Sequence, residues 1–320
     1  MRISSVWVMT DGNAGMENQA CGFAEAMGVP YTIKRVQMKF PWKYVSPFIR
    51  LGKNFCLNKK QMKLIPPWPD LIIASGRKSI LPALMVRDKN KSKTKIAYLQ
   101  TPVIAPKHFD VVISPAHDGC SGENVLQSMG APHQVTQERL NQAYTDFSYL
   151  FSSYRQPRLG VLLGGSNKTY TFDETIARDL AQQLKVLIRQ GLSIMITPSR
   201  RTDGAVIEIL RESLGRDEVY IWEGRGENPY FGILAWSDVI LVSCDSVSMI
   251  SEACATDRPV YLLKLPGKGR KFQTFYQYLT DLGRIQWWNG NINGSEIPKI
   301  EAFNETKDLA VKALMYLQQG

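Results

Sequence analysis

Strand-like and helix-like segments alternate along nearly all of this 320-residue chain, which predicts an α/β fold. The expected architecture is two doubly wound, Rossmann-like halves facing a cleft. Three observations carry it. The length fits two domains better than one. Short apolar runs at residues 6–9, 159–163 and 239–243 have the composition of buried parallel strands. Each is followed by a turn rich in Gly, Ser, Asp or Asn and then by a helical pattern.

In the first half, the strand at 6–9 leads through Thr10-Asp11-Gly12-Asn13-Ala14-Gly15 into a helix over 16–27. Gly28 and Pro30 end that helix. Residues 31–37 form the next strand. A basic, aromatic stretch at 38–69 interrupts the rhythm and reads as a partly helical insertion. Strands follow at 71–74, 96–100 and 111–114, and the helix after Gly76 tolerates Pro82 in its first turn. Residues 134–157 are polar and read as the interdomain connection, helical over 138–151. The domains are therefore expected at 1–150 and 151–320.

The second half continues with a strand at 159–163 and the loop Gly164-Gly165-Ser166-Asn167-Lys168. Thr171 and Glu174 match a capping box for a helix ending before Gly191. Further strands fall at 192–197, 219–222, 239–243 and 260–263. Helices fall between them, one opening at Asn228-Pro229. Residues 271–282 are helical, and a last helix over 305–318 is expected to pack back on the N-terminal domain.

No run of about 18 apolar residues marks a transmembrane helix, and the first residues lack the pattern of a signal peptide. The five cysteines are scattered with no C-x-x-C pair, which argues against a disulfide framework or zinc knuckle and for a reducing, cytoplasmic setting. No Asp-x-Asp pair or His/Cys cluster indicates a metal site, so none is expected, and no cofactor is expected either. The net charge is +10, and residues 26–69 hold nine Lys or Arg and no Asp or Glu, interleaved with aromatics. Such a surface attracts anionic partners. Contact with an anionic membrane surface or an anionic acceptor is expected ahead of nucleic acid.

The candidate site begins at Asp245-Ser246-Val247-Ser248-Met249-Ile250-Ser251-Glu252. A buried strand runs into a Ser- and Asp-rich helix start, whose free N–H groups, dipole and hydroxyls (Ser246, Ser248) suit a phosphate. Asp245, Ser248 and Glu252 recur on one helical stripe, expected to be polar, with Glu252 accepting hydrogen bonds from sugar hydroxyls. An ordinary capped helix is the competing reading. Three further strand ends lie on the same sheet edge, where ligands of open α/β sheets bind. Gly164, Gly165, Ser166 and Lys168 allow close backbone approach and add a hydroxyl and a cation. Arg200 and Arg201 match phosphate geometry. Asn228 offers an amide for a base or ribose. In the first half, Gly12 and Gly15 bracket a turn with Asp11 and Glu17 beside it, a loop able to approach bound phosphates across the cleft. Asp11 and His117, the latter next to Asp118, are rival general bases.

These motifs, with Leu163-Gly164-Gly165-Ser166, Glu227-Asn228-Pro229-Tyr230 and Asp11-Gly12-Asn13-Ala14-Gly15-Met16-Glu17-Asn18-Gln19, resemble a family with the GT-B fold. It joins bacterial lipooligosaccharide or lipopolysaccharide core glycosyltransferases to a plant mitochondrial fission factor. The resemblance spans nearly the whole chain. It implies a nucleotide-sugar donor in the C-terminal half, with Ser246 and Ser248 on the diphosphate and Glu252 on the ribose or sugar hydroxyls. It also implies a saccharide or lipid-linked acceptor in the N-terminal half, and the basic aromatic region is expected to hold the protein peripherally on the inner membrane. A non-catalytic adaptor and a nucleotide-sugar epimerase are the alternatives.

Overall fold

A computed structural model describes residues 3–48, 57, 64–292 and 297–319. In chain order the first elements are β1 (Val6–Thr10), α1 (Ala14–Ala26), β2 (Tyr31–Arg35), α2 (Trp42–Val45), β3 (Leu71–Ser75), α3 (Arg77–Lys89), β4 (Lys95–Leu99), β5 (Val111–Pro115) and β6 (Val125–Ser128). Then come α4 (Gln137–Asp146), α5 (Ser148–Phe151), β7 (Arg158–Leu163), α6 (Glu174–Arg189), β8 (Ser193–Pro198), α7 (Gly204–Leu214) and β9 (Val219–Ile221). The chain ends with α8 (Tyr230–Trp236), β10 (Val239–Ser243), α9 (Val247–Cys254), β11 (Val260–Leu263), α10 (Gln273–Asp281), β12 (Ile285–Trp287) and α11 (Thr306–Gln319).

The chain divides into two compact units: residues 1–134 with 305–320, and residues 135–304. This places the boundary earlier than the sequence reading at 150. Polar composition hid the reason. The connection carries Leu140, Ala143, Phe147 and Phe151 at helical spacing, and all four are buried in the second core. A Cβ on Gly232 would lie 2.6 Å from the Phe147 ring, so α8 is fitted to that side chain. The last helix, α11, belongs to the first unit, where Leu309, Ala310, Ala313 and Leu317 are buried.

The first unit is a six-stranded parallel sheet of order β2-β1-β3-β4-β5-β6. Alternate residues of β1 face opposite layers, as strand geometry requires. Val6 and Val8 join the core shared with α1 and α11, whereas Trp7 and Met9 join that shared with α3. Of the 38–69 insertion, only α2 is helical among the described residues, and residues 49–56 and 58–63 lie outside them.

The second unit is also six-stranded and parallel, of order β12-β11-β10-β7-β8-β9. Helix α6 begins at Glu174 with Asp173 as its cap, accepting from the Ile176 N–H. Thr171 instead donates its N–H to the Pro266 carbonyl, so the capping-box match fails by two residues. Strand order reverses between β1 and β3 in the first sheet, and between β7 and β10 in the second. Beyond the carboxyl ends of such strands the chain diverges and leaves a crevice for ligands.

Candidate functional site

The second unit's reversal point brings the Gly164-Gly165 loop after β7 against the Cys244-Asp245-Ser246 loop after β10. Asp245 is the hub. Its side chain is fully buried and its carboxylate accepts from the Ser243 hydroxyl (2.7 Å) and the Gly165 N–H (3.0 Å). Arg201 Nη2 lies 2.8 Å from Oδ2 of the same group. Ser243 in turn accepts from the Gly164 N–H at 2.7 Å. The two glycine amides are therefore used inside the protein, contrary to the expectation that this backbone opens toward a ligand. The glycines are required by close packing of loops. A Cβ on Gly164 would meet Asp245 Oδ1 at 2.1 Å, and one on Gly165 would meet the Arg201 carbonyl at 2.1 Å.

The loop after β8 closes the third side. The Ser199 N–H donates to the Leu163 carbonyl at 2.7 Å, and the Thr202 hydroxyl donates to the Leu163 and Gly164 carbonyls. Arg201 is thus held in one orientation by Asp245 while its side chain stays 43% exposed. The guanidinium expected to match a phosphate is therefore an anchored cation, still half open to solvent. Arg200 and Lys168 are exposed and form no ion pair among the described residues. Ser166 is exposed, and its Oγ accepts from the Phe172 N–H at 2.9 Å.

At the start of α9, Ser246 caps the helix through the Met249 N–H at 3.4 Å. Ser248 is half-buried in the first turn. The stripe expected to be polar is largely closed: Asp245 and Glu252 are both buried. Glu252 accepts a hydrogen bond from the Tyr230 hydroxyl. Burial raises its carboxyl pKa to about 7 against the partial relief of that bond, and burial beside Glu252 pushes the Tyr230 phenol up. Tyr230 was missed as a partner, although it stands in the quoted Asn-Pro-Tyr run. Asn228, two residues earlier, accepts from the Tyr230 N–H at 3.1 Å through its side-chain oxygen and so fixes the start of α8.

The first unit's reversal point carries a second polar group. Asp11 lies 2.9 Å from Lys78 Nζ, which extends from the first turn of α3, and accepts from the Asn13 N–H. Glu17 is gripped by Arg35 at 2.9 and 2.8 Å, which holds its carboxyl below the usual range; the Thr10 hydroxyl adds a weaker bond. Gly12 has a φ of +81°, the left-handed region that favours glycine. Gly15 donates its N–H to the Asn13 side chain, the cap of α1. His117 follows β5, with Nε2 3.8 Å from Asp118, whose other oxygen accepts from Thr101 at 2.8 Å. Both candidate bases thus stand on the carboxyl-end edge of the first sheet, Asp11 already charge-matched by Lys78.

Two parallel sheets, each with polar loops gathered at its reversal point, define a GT-B-like protein. An Escherichia coli ADP-heptose lipopolysaccharide heptosyltransferase II has a similar fold, with a TM-score of 0.51, 13% identity, and coverage of 98% of this chain and 99% of that one. So has a UDP-GlcNAc 2-epimerase of Methanocaldococcus jannaschii, with a TM-score of 0.54, 13% identity, and coverage of 97% and 92%. The chain belongs to the mitochondrial fission ELM1 family, whose model matches residues 14–316. The mitochondrial fission protein ELM1 of Arabidopsis thaliana is 28% identical over 76% of this chain, and the match spans 63% of that protein's length. The uncharacterized protein RP120 of Rickettsia prowazekii is 25% identical over 96% of both chains.

Proposed function

We propose that the protein is a GT-B-type glycosyltransferase whose second unit binds a nucleotide-sugar donor and whose first unit binds a saccharide or lipid-linked acceptor. The observation that carries this reading is the seat at the second reversal point. The start of α9 presents the Ser246 and Ser248 hydroxyls and a positive helix end. Beside it Arg201 is fixed in direction by a buried carboxylate, with Arg200 and Lys168 exposed on the adjoining loops. Such a set suits a diphosphate, and its cations and dipole stabilise the charge that the leaving nucleotide gains. Glu252, with Tyr230 donating to it, offers its carboxylate to a ribose or sugar hydroxyl once the tyrosine swings aside. Asp11 and His117 are the candidates for taking the acceptor's proton.

A melting-temperature screen with UDP, ADP, GDP and CMP tests the donor seat. One nucleotide should raise the melting temperature, and Ser248→Ala with Arg201→Ala should abolish the rise. No response to any nucleotide would defeat the transferase reading. It would favour a non-catalytic adaptor, the reading that the family's fission-protein relative supports. Conversion of a nucleotide sugar into its epimer without acceptor and without net nucleotide release would instead point to a nucleotide-sugar epimerase, as the epimerase fold relatives suggest.

A further inference from the structure

The net charge of the molecule resides in one unit. Residues 1–134 and 305–320 hold 20 Lys and Arg against 10 Asp and Glu, whereas residues 135–304 hold 19 of each. The whole net charge of +10 therefore belongs to the first unit. Its most basic stretch surrounds α2, and there three large aromatic side chains stand out into solvent: Phe40 is 81% exposed, Tyr44 66% and Phe48 67%. The Phe40 and Tyr44 rings are neighbours, with centroids 6.5 Å apart. Lys39 and Lys43 beside them are exposed, and the Lys43 ammonium sits 5.7 Å from the Tyr44 ring.

This exposure is built in. The same stretch buries Val36 and Leu64 and packs Met38 and Trp42 on the core shared with α3. From α3, the Arg77 guanidinium donates to the carbonyls of Lys43 (3.1 Å), Tyr44 (3.0 Å) and Ser46 (2.7 Å). A segment held from beneath by one arginine and several apolar side chains has no need to hold three aromatics in water. Clustered exposed aromatics among cations mark an interaction surface. Aromatic rings lie well at the boundary between lipid headgroups and acyl chains, while lysines beside them reach anionic headgroups.

We propose that this face docks the first unit on an anionic lipid bilayer, with Phe40, Tyr44 and Phe48 entering the interface and Lys39 and Lys43 meeting the headgroups. The proposal is independent of the donor seat in the second unit. The absence of any acidic residue from 26 to 69 favours lipid over an ordinary protein surface, whose mixed charges call for both signs.

Co-sedimentation of the full chain with phosphatidylcholine vesicles, with and without 30% phosphatidylserine, tests it. Binding should require the anionic lipid and weaken as salt rises. Lys39→Glu with Lys43→Glu should lower partitioning about tenfold or more, and Phe40→Ser with Tyr44→Ser and Phe48→Ser should lower it comparably. Both lysine side chains are exposed, so their variant keeps the wild-type melting temperature and isolates docking from folding. Equal binding to neutral and anionic vesicles, no binding to either, or anionic binding that survives both variants would overturn the proposal. The second of these results would point instead to a protein partner for the aromatic face.

Discussion

The two units share one plan, a six-stranded parallel sheet with loops gathered where strand order reverses, yet they use polar residues in opposite ways. The second unit is electrically neutral as a whole and concentrates charge by geometry: one buried carboxylate, Asp245, aims one arginine. The first unit carries the entire positive excess but spends its loop charges in outward pairs, Asp11 with Lys78 and Glu17 with Arg35. A net charge indicates what a surface attracts at long range, whereas a built seat depends on which few groups are held and by what. The two properties are separable, and here they sit in separate units.

The glycines make the contrast sharpest. Gly165→Ala should be the most damaging of the changes considered, about 3 kcal/mol or more, because its Cβ would meet a backbone carbonyl that cannot yield. Asp245→Asn should follow at about 2 kcal/mol, since it loses one of several bonds and a half-exposed ion pair. Gly12→Ala in the first unit has room for its Cβ and should cost only about 1–2 kcal/mol for the left-handed backbone. Urea unfolding orders the three. A Gly12 variant as damaging as the Gly165 variant would erase the distinction between a steric and a conformational glycine.

Protonation sharpens the same comparison with opposite signs. Glu252 has a folded pKa raised from 4.5 to about 7. The folded state therefore holds the proton more tightly, and that stability is present below the unfolded pKa and lost as pH rises through about 7. Glu252→Gln should accordingly gain on the wild type between pH 5 and pH 8, and a stability difference independent of pH would refute this. Glu17 has a lowered folded pKa. Its contribution is present above the unfolded pKa of 4.5 and is lost as pH falls through the lower folded value. Glu17→Gln should thus be harmful only above that range, and only slightly, because Arg35 is largely exposed.

Much of this was legible in the chain, and what was not has physical causes. The run Val239–Ser243 reads as a buried strand because every residue in it is buried, and no polar partner interrupts the pattern. Strands β6 and β12 escaped notice because they are short edge strands, each with one buried residue. The helix start at Asp245 was recognisable from its caps, but the role of Asp245 was not. Its partners Gly165 and Arg201 lie 80 and 44 residues away, and a hydrogen bond between distant loops leaves no periodic trace. Glu252 misled for the same reason. Its spacing along α9 placed it on a polar stripe, while Tyr230 on another helix covers it.

Hydrogen–deuterium exchange with a saturating nucleotide, chosen by the melting screen, tests the central claim most directly. Protection should be greatest at the loops after β7, β8 and β10 and at the first turn of α9, around Gly165, Arg201 and Ser248. Protection confined to the first unit, or none at any of these loops, would contradict it.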